Sequence, residues 1–85
     1  GLDRGAAKEA MATFIAGKTL AANQLEFINL IVDHLTEHGI VEPARLYESP
    51  FTDLTPTGSE ALFTPIQLDE LVSVLDGVRA SAVAA

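Results

Sequence analysis

A long run of apolar residues at helical spacing, closed by a glycine, constrains this chain more than any other feature. The run extends over residues 20–38, and Gly39 follows it. Thr19 stands where a helix N-cap is expected, because its hydroxyl can accept a backbone N–H of the first turn. The pattern predicts a long helix that forms the spine of the domain. Its buried face is predicted to comprise Leu20, Phe27, Ile28, Ile31, Val32 and Leu35.

Two further long helices are indicated on either side of this spine. Residues 5–16 are rich in alanine, carry their larger apolar residues on one helical face, and end before Gly17. Thr64 and Gln67 are spaced as a capping box, and a proline occupies the first helical position between them. Apolar residues then recur at helical intervals, which predicts a last helix over about residues 65–80.

The middle of the chain is too densely punctuated for a long element. Three of the four prolines of the chain lie between residues 40 and 63. Glu42-Pro43 and Ser49-Pro50 each place a candidate cap before a proline, which predicts short helices near 43–48 and 50–53. The predicted fold is all-α: residues 1–85 form one small domain, an orthogonal or irregular bundle with two or three longer helices and short proline-initiated helices in the middle.

Composition excludes several classes of protein. The chain has 85 residues and a net charge of −7. Because it has no cysteine, disulfide scaffolds and thiolate metal sites are absent. The negative charge opposes contact with a phosphate backbone, and no apolar run is long enough to span a membrane. We therefore expect a soluble domain with no direct nucleic-acid binding and no membrane contact. Because the first residue is Gly1 rather than Met, we also expect a fragment of a larger polypeptide.

Two motifs suggest chemistry but lack its context. Residues 12–19, ATFIAGKT, differ from the phosphate-loop pattern only by Ala12 in place of glycine. Such a loop follows a buried strand, whereas these residues follow a helical pattern, so an interhelical turn with Lys18 near a helix C-terminus is favoured. His34, Glu37 and His38 match the H-x-x-E-H pattern of inverted zinc peptidases. A third ligand and a substrate cleft are not evident, which leaves at most adventitious surface metal binding.

Ser49 is the remaining candidate for covalent chemistry. An acidic helical chain of this size suits an acyl or peptidyl carrier, which attaches phosphopantetheine to a serine at a helix start. The context Glu48-Ser49-Pro50 does not match the expected Asp-Ser-Leu, so a role as a helix cap is favoured. We predict no catalytic, cofactor-binding or metal-binding residue in this chain.

Much of the chain resembles one protein family. The segments NQLEFINLIVDHLT, residues 23–36, and PARLYESPFTD, residues 43–53, look like the C-terminal domain of type I restriction enzyme R subunits. Shorter matches near both ends extend the resemblance over nearly the whole chain. At Ala61 the family pattern leads us to expect glycine, and the alanine argues against a tight turn with positive φ.

The resemblance implies a role in restriction-modification. In that family the nuclease and the ATP-driven motor domains precede the C-terminal region, which is held to dock the subunit onto the methyltransferase core. The implied parent is an ATP-dependent type I site-specific deoxyribonuclease of the bacterial or archaeal cytoplasm. ATP and Mg²⁺ would belong to that parent and not to this fragment. The implied partners are the modification subunits and the motor domains of the same chain.

The residues themselves agree with a protein–protein interaction domain. Ten of the twelve acidic residues, but only one of the five basic residues, lie between positions 19 and 78, which favours either a basic partner or an ordinary solvated surface. Arg45, that single base, is expected to pair with Glu42, Glu48 or Asp53. Aromatic residues of the middle segment either anchor an interface or fill a thin core. The candidate partner-binding residues are Arg45, Tyr47, Glu48, Phe51 and Asp53.

Two other roles remain open at this point. The domain could be a structural cap that covers apolar surface of the motor domains. It could also be an acidic regulatory element that mimics DNA. Binding to a DNA mimic weakens steeply as salt rises, whereas docking through apolar surface is less sensitive to salt.

Overall fold

A computed structural model describes residues 1–54 and 59–84 of the chain. Those residues form helices and no strand, as predicted. The four α-helices are α1, Arg4–Ile15; α2, Ala22–His38; α3, Ser59–Leu62; and α4, Pro65–Ala84. Two 3₁₀ helices, Pro43–Tyr47 and Phe51–Asp53, lie between α2 and α3.

A glycine follows each of the first two helices, as predicted; α1 ends at Ile15, one residue before the predicted end, and α2 ends at His38 as predicted but begins later. Gly17 and Gly39 have φ angles of 78° and 80°, which glycine adopts without steric cost. The N-cap of α2 is Ala21 and not Thr19. No side chain at the N-cap bonds to the first turn, and Oε1 of Gln24 accepts the N–H of Ala21 at 2.8 Å, which is the reciprocal half of a capping box.

The middle segment contains the two predicted short helices, both in the tighter 3₁₀ form. The first begins at Pro43, as predicted, and Arg45 donates its backbone N–H to the carbonyl of Glu42 at 2.9 Å. The second begins at Phe51, one residue later than predicted. Ser49 does not cap it, since the Ser49 hydroxyl lies 3.3 Å from a carboxylate oxygen of Asp53 instead.

The last helix has the predicted capping box. The N–H of Gln67 donates to the hydroxyl of Thr64 at 3.2 Å, and the N–H of Thr64 donates to the side chain of Gln67 at 3.0 Å. The helix continues to Ala84, beyond the predicted end at residue 80. The short α3 was not predicted; it contains Ala61, where no positive φ occurs.

All the long helices contribute to a single core that is built around aromatic rings. Phe63 lies between Phe14 and Phe27, with both pairs of ring centroids 5.6 Å apart in edge-to-face geometry. Phe51 approaches Phe27 to 5.2 Å. Such pairs stabilise a core beyond the effect of their buried area. The rest of the core comprises Ala7, Met11, Ile28, Ile31, Val32, Leu35, Val41, Leu46, Leu62, Leu71 and Leu75.

Helix α1 packs against both α2 and α4, and ion pairs tie the elements at their edges. Arg4 pairs with Asp33 of α2 at 2.9 Å, and Lys18 pairs with Glu70 of α4 at 2.6 Å. The Arg79 side chain of α4 reaches back to Glu42, before the first 3₁₀ helix, at 3.0 Å. These contacts join residues that are distant in sequence, and of the three pairs only the one made by Lys18 has a largely buried member.

Candidate functional site

The first 3₁₀ helix separates one buried side chain from an exposed polar and aromatic surface. Leu46 is wholly buried and anchors the turn in the core. Only residues about three apart share a face of such a helix, so the neighbours of Leu46 point outward. Arg45 and Tyr47 are therefore exposed, and Tyr47 shows 48% of its surface.

Arg45 forms the ion pair that the sequence suggests. Its guanidinium donates to the carboxylate of Glu48 at 2.9 Å, which selects one of the three predicted partners. Glu42 instead pairs with Arg79, and Asp53 accepts from Ser49. Because both members of the Arg45–Glu48 pair are about half exposed, it adds little to stability.

Phe51 does not belong to the exposed surface. It is 0% exposed and packs against Phe27 and the imidazole of His34, whose ring centroid lies 5.1 Å away. The expectation that Phe51 presents its ring to a partner is therefore wrong. The alternative of core packing is confirmed for Phe51 and Phe63 and is wrong for Tyr47. We use the name 3₁₀ surface for the four candidates that remain exposed, which are Arg45, Tyr47, Glu48 and Asp53.

The phosphate-loop motif forms a turn between helices, as the sequence favours. Lys18 lies just beyond α1, where its ammonium group donates to the carbonyl of Phe14 and to the carboxylate of Glu70. Only 15% of its side chain is exposed, and the ammonium lies 4.4 Å from the centroid of the Phe14 ring. Lys18 therefore joins α1 to α4 through contacts that neutralise the negative end of α1.

The two histidines of the H-x-x-E-H motif lie side by side near the end of α2. Their ring centroids are 5.7 Å apart, and they line a pocket of about 270 Å³ together with Ile40, Val41, Glu42 and Arg45. In residues 1–54 and 59–84, no group of three or more His, Cys, Asp or Glu side chains is placed to hold a metal ion.

An apolar groove between α1 and α4 was not anticipated from the sequence. It has a volume of about 540 Å³ and is lined by Leu2, Ala6, Ala10, Thr13, Val74, Gly77, Val78 and Ser81. One feature of the sequence could have indicated the groove: α4 carries valines beside the face that holds Leu71 and Leu75. A helix with apolar residues on more than one side has more apolar surface than one core contact covers.

The comparison with protein families decides what this chain is. A family model described as EcoEI R protein C-terminal matches residues 2–79. The chain belongs to the family of C-terminal domains of type I restriction enzyme R subunits. Searches of curated proteins and of solved structures find no significant match.

The family match covers all but one of the site residues described above for this R subunit domain. The 3₁₀ surface, the two histidines and the α1/α4 groove, apart from Ser81 at its edge, all lie within the matched residues. Among the described helices of the R subunit domain, none combines the length and the apolar character needed to cross a membrane.

Proposed function

We propose that this R subunit domain is a non-catalytic docking module that holds the nuclease and motor subunit on the methyltransferase core during defence against foreign DNA. The observation that carries the proposal is the exposure of Tyr47. Of the five phenylalanine and tyrosine rings in the chain, four are buried in the core and only this one is exposed. Tyrosine and arginine are enriched among the residues that dominate binding energy, and Tyr47 has Arg45 beside it.

The anchoring beneath the 3₁₀ surface supports this role. Leu46 and Phe51 fix the backbone on either side of Tyr47 because both side chains are fully buried. An interface residue on a fixed backbone loses less conformational entropy when a partner binds. The exposed Arg45–Glu48 pair provides charges that a partner can engage without removing a buried contact.

Charge supports a basic partner surface. The chain has a net charge of −7, and four of its five basic side chains already pair with carboxylates. Complementary charge raises the rate of association and orients the partners more than it increases affinity. In this proposal the ATP and Mg²⁺ chemistry of the parent enzyme belongs to domains outside the chain.

A second candidate function is a structural cap on the motor domains, and the α1/α4 groove is the observation that favours it. The groove is lined by small and apolar side chains and carries no charged residue. A cap of this kind would bind the motor fragment through the groove and would leave the methyltransferase core unbound. The two functions thus use different surfaces and different partners.

Calorimetric titration of this chain into the cognate methyltransferase core, at low and high salt, tests the proposal. Saturable binding supports docking, and a dependence on salt measures the part played by charge. Competition by duplex DNA would support the DNA-mimic alternative instead. If the chain is folded by circular dichroism and binds only the motor fragment, docking is wrong and the cap is correct.

Point variants identify the docking surface. We expect Tyr47→Ala to cost about 2 kcal/mol of binding, which is roughly a 30-fold increase in Kd. Ile66→Ala is the matched control, because Ile66 in the first turn of α4 is 73% exposed and lies outside the 3₁₀ surface. Equal losses in the two variants, or a loss in the control alone, would place the interface elsewhere.

A further inference from the structure

Two imidazoles one helical turn apart face a pocket for which docking provides no role. His34 and His38 lie on the last two turns of α2 and line the pocket of about 270 Å³ at its C-terminal end. Histidines four apart on a helix project from the same face and can reach a common point. The pocket is large enough to admit an ion with several water molecules.

The separation of the two rings fits a shared metal ion. Zinc binds imidazole nitrogen at about 2.0–2.1 Å, which places each ring centroid roughly 3.2 Å from the metal. A tetrahedral angle then separates the two centroids by roughly 5.2 Å. The observed separation is 5.7 Å, with the rings inclined at 45°. Closing the difference requires rotation of the rings so that one nitrogen of each faces a common point.

One histidine is held in place and the other is free to make that rotation. His34 is half-buried, and its ring packs against buried Phe51 at 5.1 Å between centroids. His38 has 63% of its side chain exposed. The first ring therefore provides a preorganised ligand, and the second adjusts to the ion at little cost in packing.

The charges around the pocket favour a cation. The carboxylate of Glu37 lies 3.6 Å from Nε2 of His38. Glu42 also lines the pocket, but its charge is offset by Arg79, which pairs with it at 3.0 Å. The C-terminus of α2 adds the negative end of its helix dipole. Arg45 also lines the pocket, but Glu48 pairs with its guanidinium at 2.9 Å and offsets its charge.

We propose that His34 and His38 chelate one divalent transition-metal ion, with water in the remaining positions. The described residues provide no third protein ligand, so the ion is exchangeable and does not form a closed structural site. Affinity is expected to rise from Zn²⁺ through Ni²⁺ to Cu²⁺ at such a nitrogen pair, apart from effects of geometry. Calcium and magnesium, which prefer oxygen ligands, should bind poorly.

Titration of the tag-free chain with NiCl₂ and with ZnCl₂ at pH 7.5 tests the site. We expect one ion per chain and at least a tenfold loss of affinity in His38→Gln, whose exposed position leaves the fold unchanged. Glu26→Gln, which removes an exposed carboxylate near the other end of α2, is the matched control and should bind as the parent does. Histidine ring signals in NMR spectra should broaden with Ni²⁺ for both residues.

Three outcomes would overturn the proposal. The first is the absence of saturable binding by either ion. The second is binding that His38→Gln leaves unchanged, which would place the ion elsewhere. The third is displacement of Ni²⁺ by equimolar Ca²⁺, which would indicate a carboxylate site. None of these measurements uses the methyltransferase core or the motor fragment, so the metal site stands or fails independently of docking.

Discussion

The irregular middle segment separates its inside from its outside more completely than the two regular helices α1 and α4 do. Between Val41 and Asp53, the apolar side chains of Leu46 and Phe51 enter the core and the polar ones stay outside, with Tyr47 as the single exposed ring. Along α1 and α4, apolar side chains lie both in the core and in the open groove. A regular helix therefore does not guarantee that all the apolar side chains of a segment are buried.

The largest effect on stability is expected when Phe51, the ring that the middle segment buries, is replaced. We expect Phe51→Ala to destabilise the domain by about 3–5 kcal/mol, because it leaves a cavity against Phe27 and His34. A chain of this length is expected to have a stability of only about 4–13 kcal/mol. Urea denaturation followed by circular dichroism measures the loss.

Tyr47→Ala is the control for that measurement. Because nearly half of Tyr47 is exposed, its removal should cost less than about 1 kcal/mol of folding stability. Similar losses in the two variants would show that the segment does not divide its aromatic residues between core and surface.

The sequence could not decide which of these two rings is buried. Helical spacing locates a face only over several turns, and the two 3₁₀ helices have five and three residues. The long helices were predictable because their periodicity is sustained and their ends carry local signals. The capping box of Thr64 and Gln67 is one such signal, since both partners lie within a single turn.

Contacts between distant residues were beyond reach of the sequence. Lys18 finds Glu70 across 52 positions, and Arg79 finds Glu42 across 37. The predicted start of α2 is too early because Thr19 does not cap the helix, and the glutamine at the third helical position accepts the N–H of Ala21. The groove was missed for the same reason as these pairs, since it exists only once α1 and α4 are packed together.

The next test compares two ion pairs, Lys18–Glu70 between α1 and α4 and Arg45–Glu48 in the middle segment. We expect Lys18→Met to destabilise the domain by about 1.5 kcal/mol, because the ammonium group is largely buried and makes two hydrogen bonds. Arg45→Met in the exposed pair should cost less than about 0.5 kcal/mol. Denaturation in low and high salt compares them, and equal losses would contradict the view that α1 and α4 depend on a buried connection.

The glycine between α2 and the middle segment tests a smaller effect. Gly39 has a φ of 80°, so Gly39→Ala should destabilise the domain by about 1 kcal/mol through backbone strain alone. An added Cβ there meets its nearest atom at 3.5 Å, which is an ordinary contact. Gly39→Asn should lose less, because asparagine tolerates this conformation better. Equal losses for alanine and asparagine would point to crowding and not to φ.

The smallest expected effect concerns the glycine of the groove. Gly77 lies inside α4, and an added Cβ would meet no atom within 4 Å beyond its chain neighbours and the nearby backbone of its own helix. We expect Gly77→Ala to stabilise the domain by about 0.4–1 kcal/mol by restricting the unfolded chain, as measured by denaturation. Ala80→Gly, at an exposed position of the same helix, is the reciprocal control and should destabilise by up to a similar amount.

A larger side chain at Gly77 distinguishes the stability of the helix from binding in the groove. Gly77→Leu should keep the gain in helix propensity while its side chain occupies the open groove. If the groove receives the motor domains, this variant should fold at least as well as the parent chain and yet bind the motor fragment more weakly. Unchanged binding in a stable Gly77→Leu domain would leave the groove without a partner, and the 3₁₀ surface would then be the stronger candidate for contact with the rest of the enzyme.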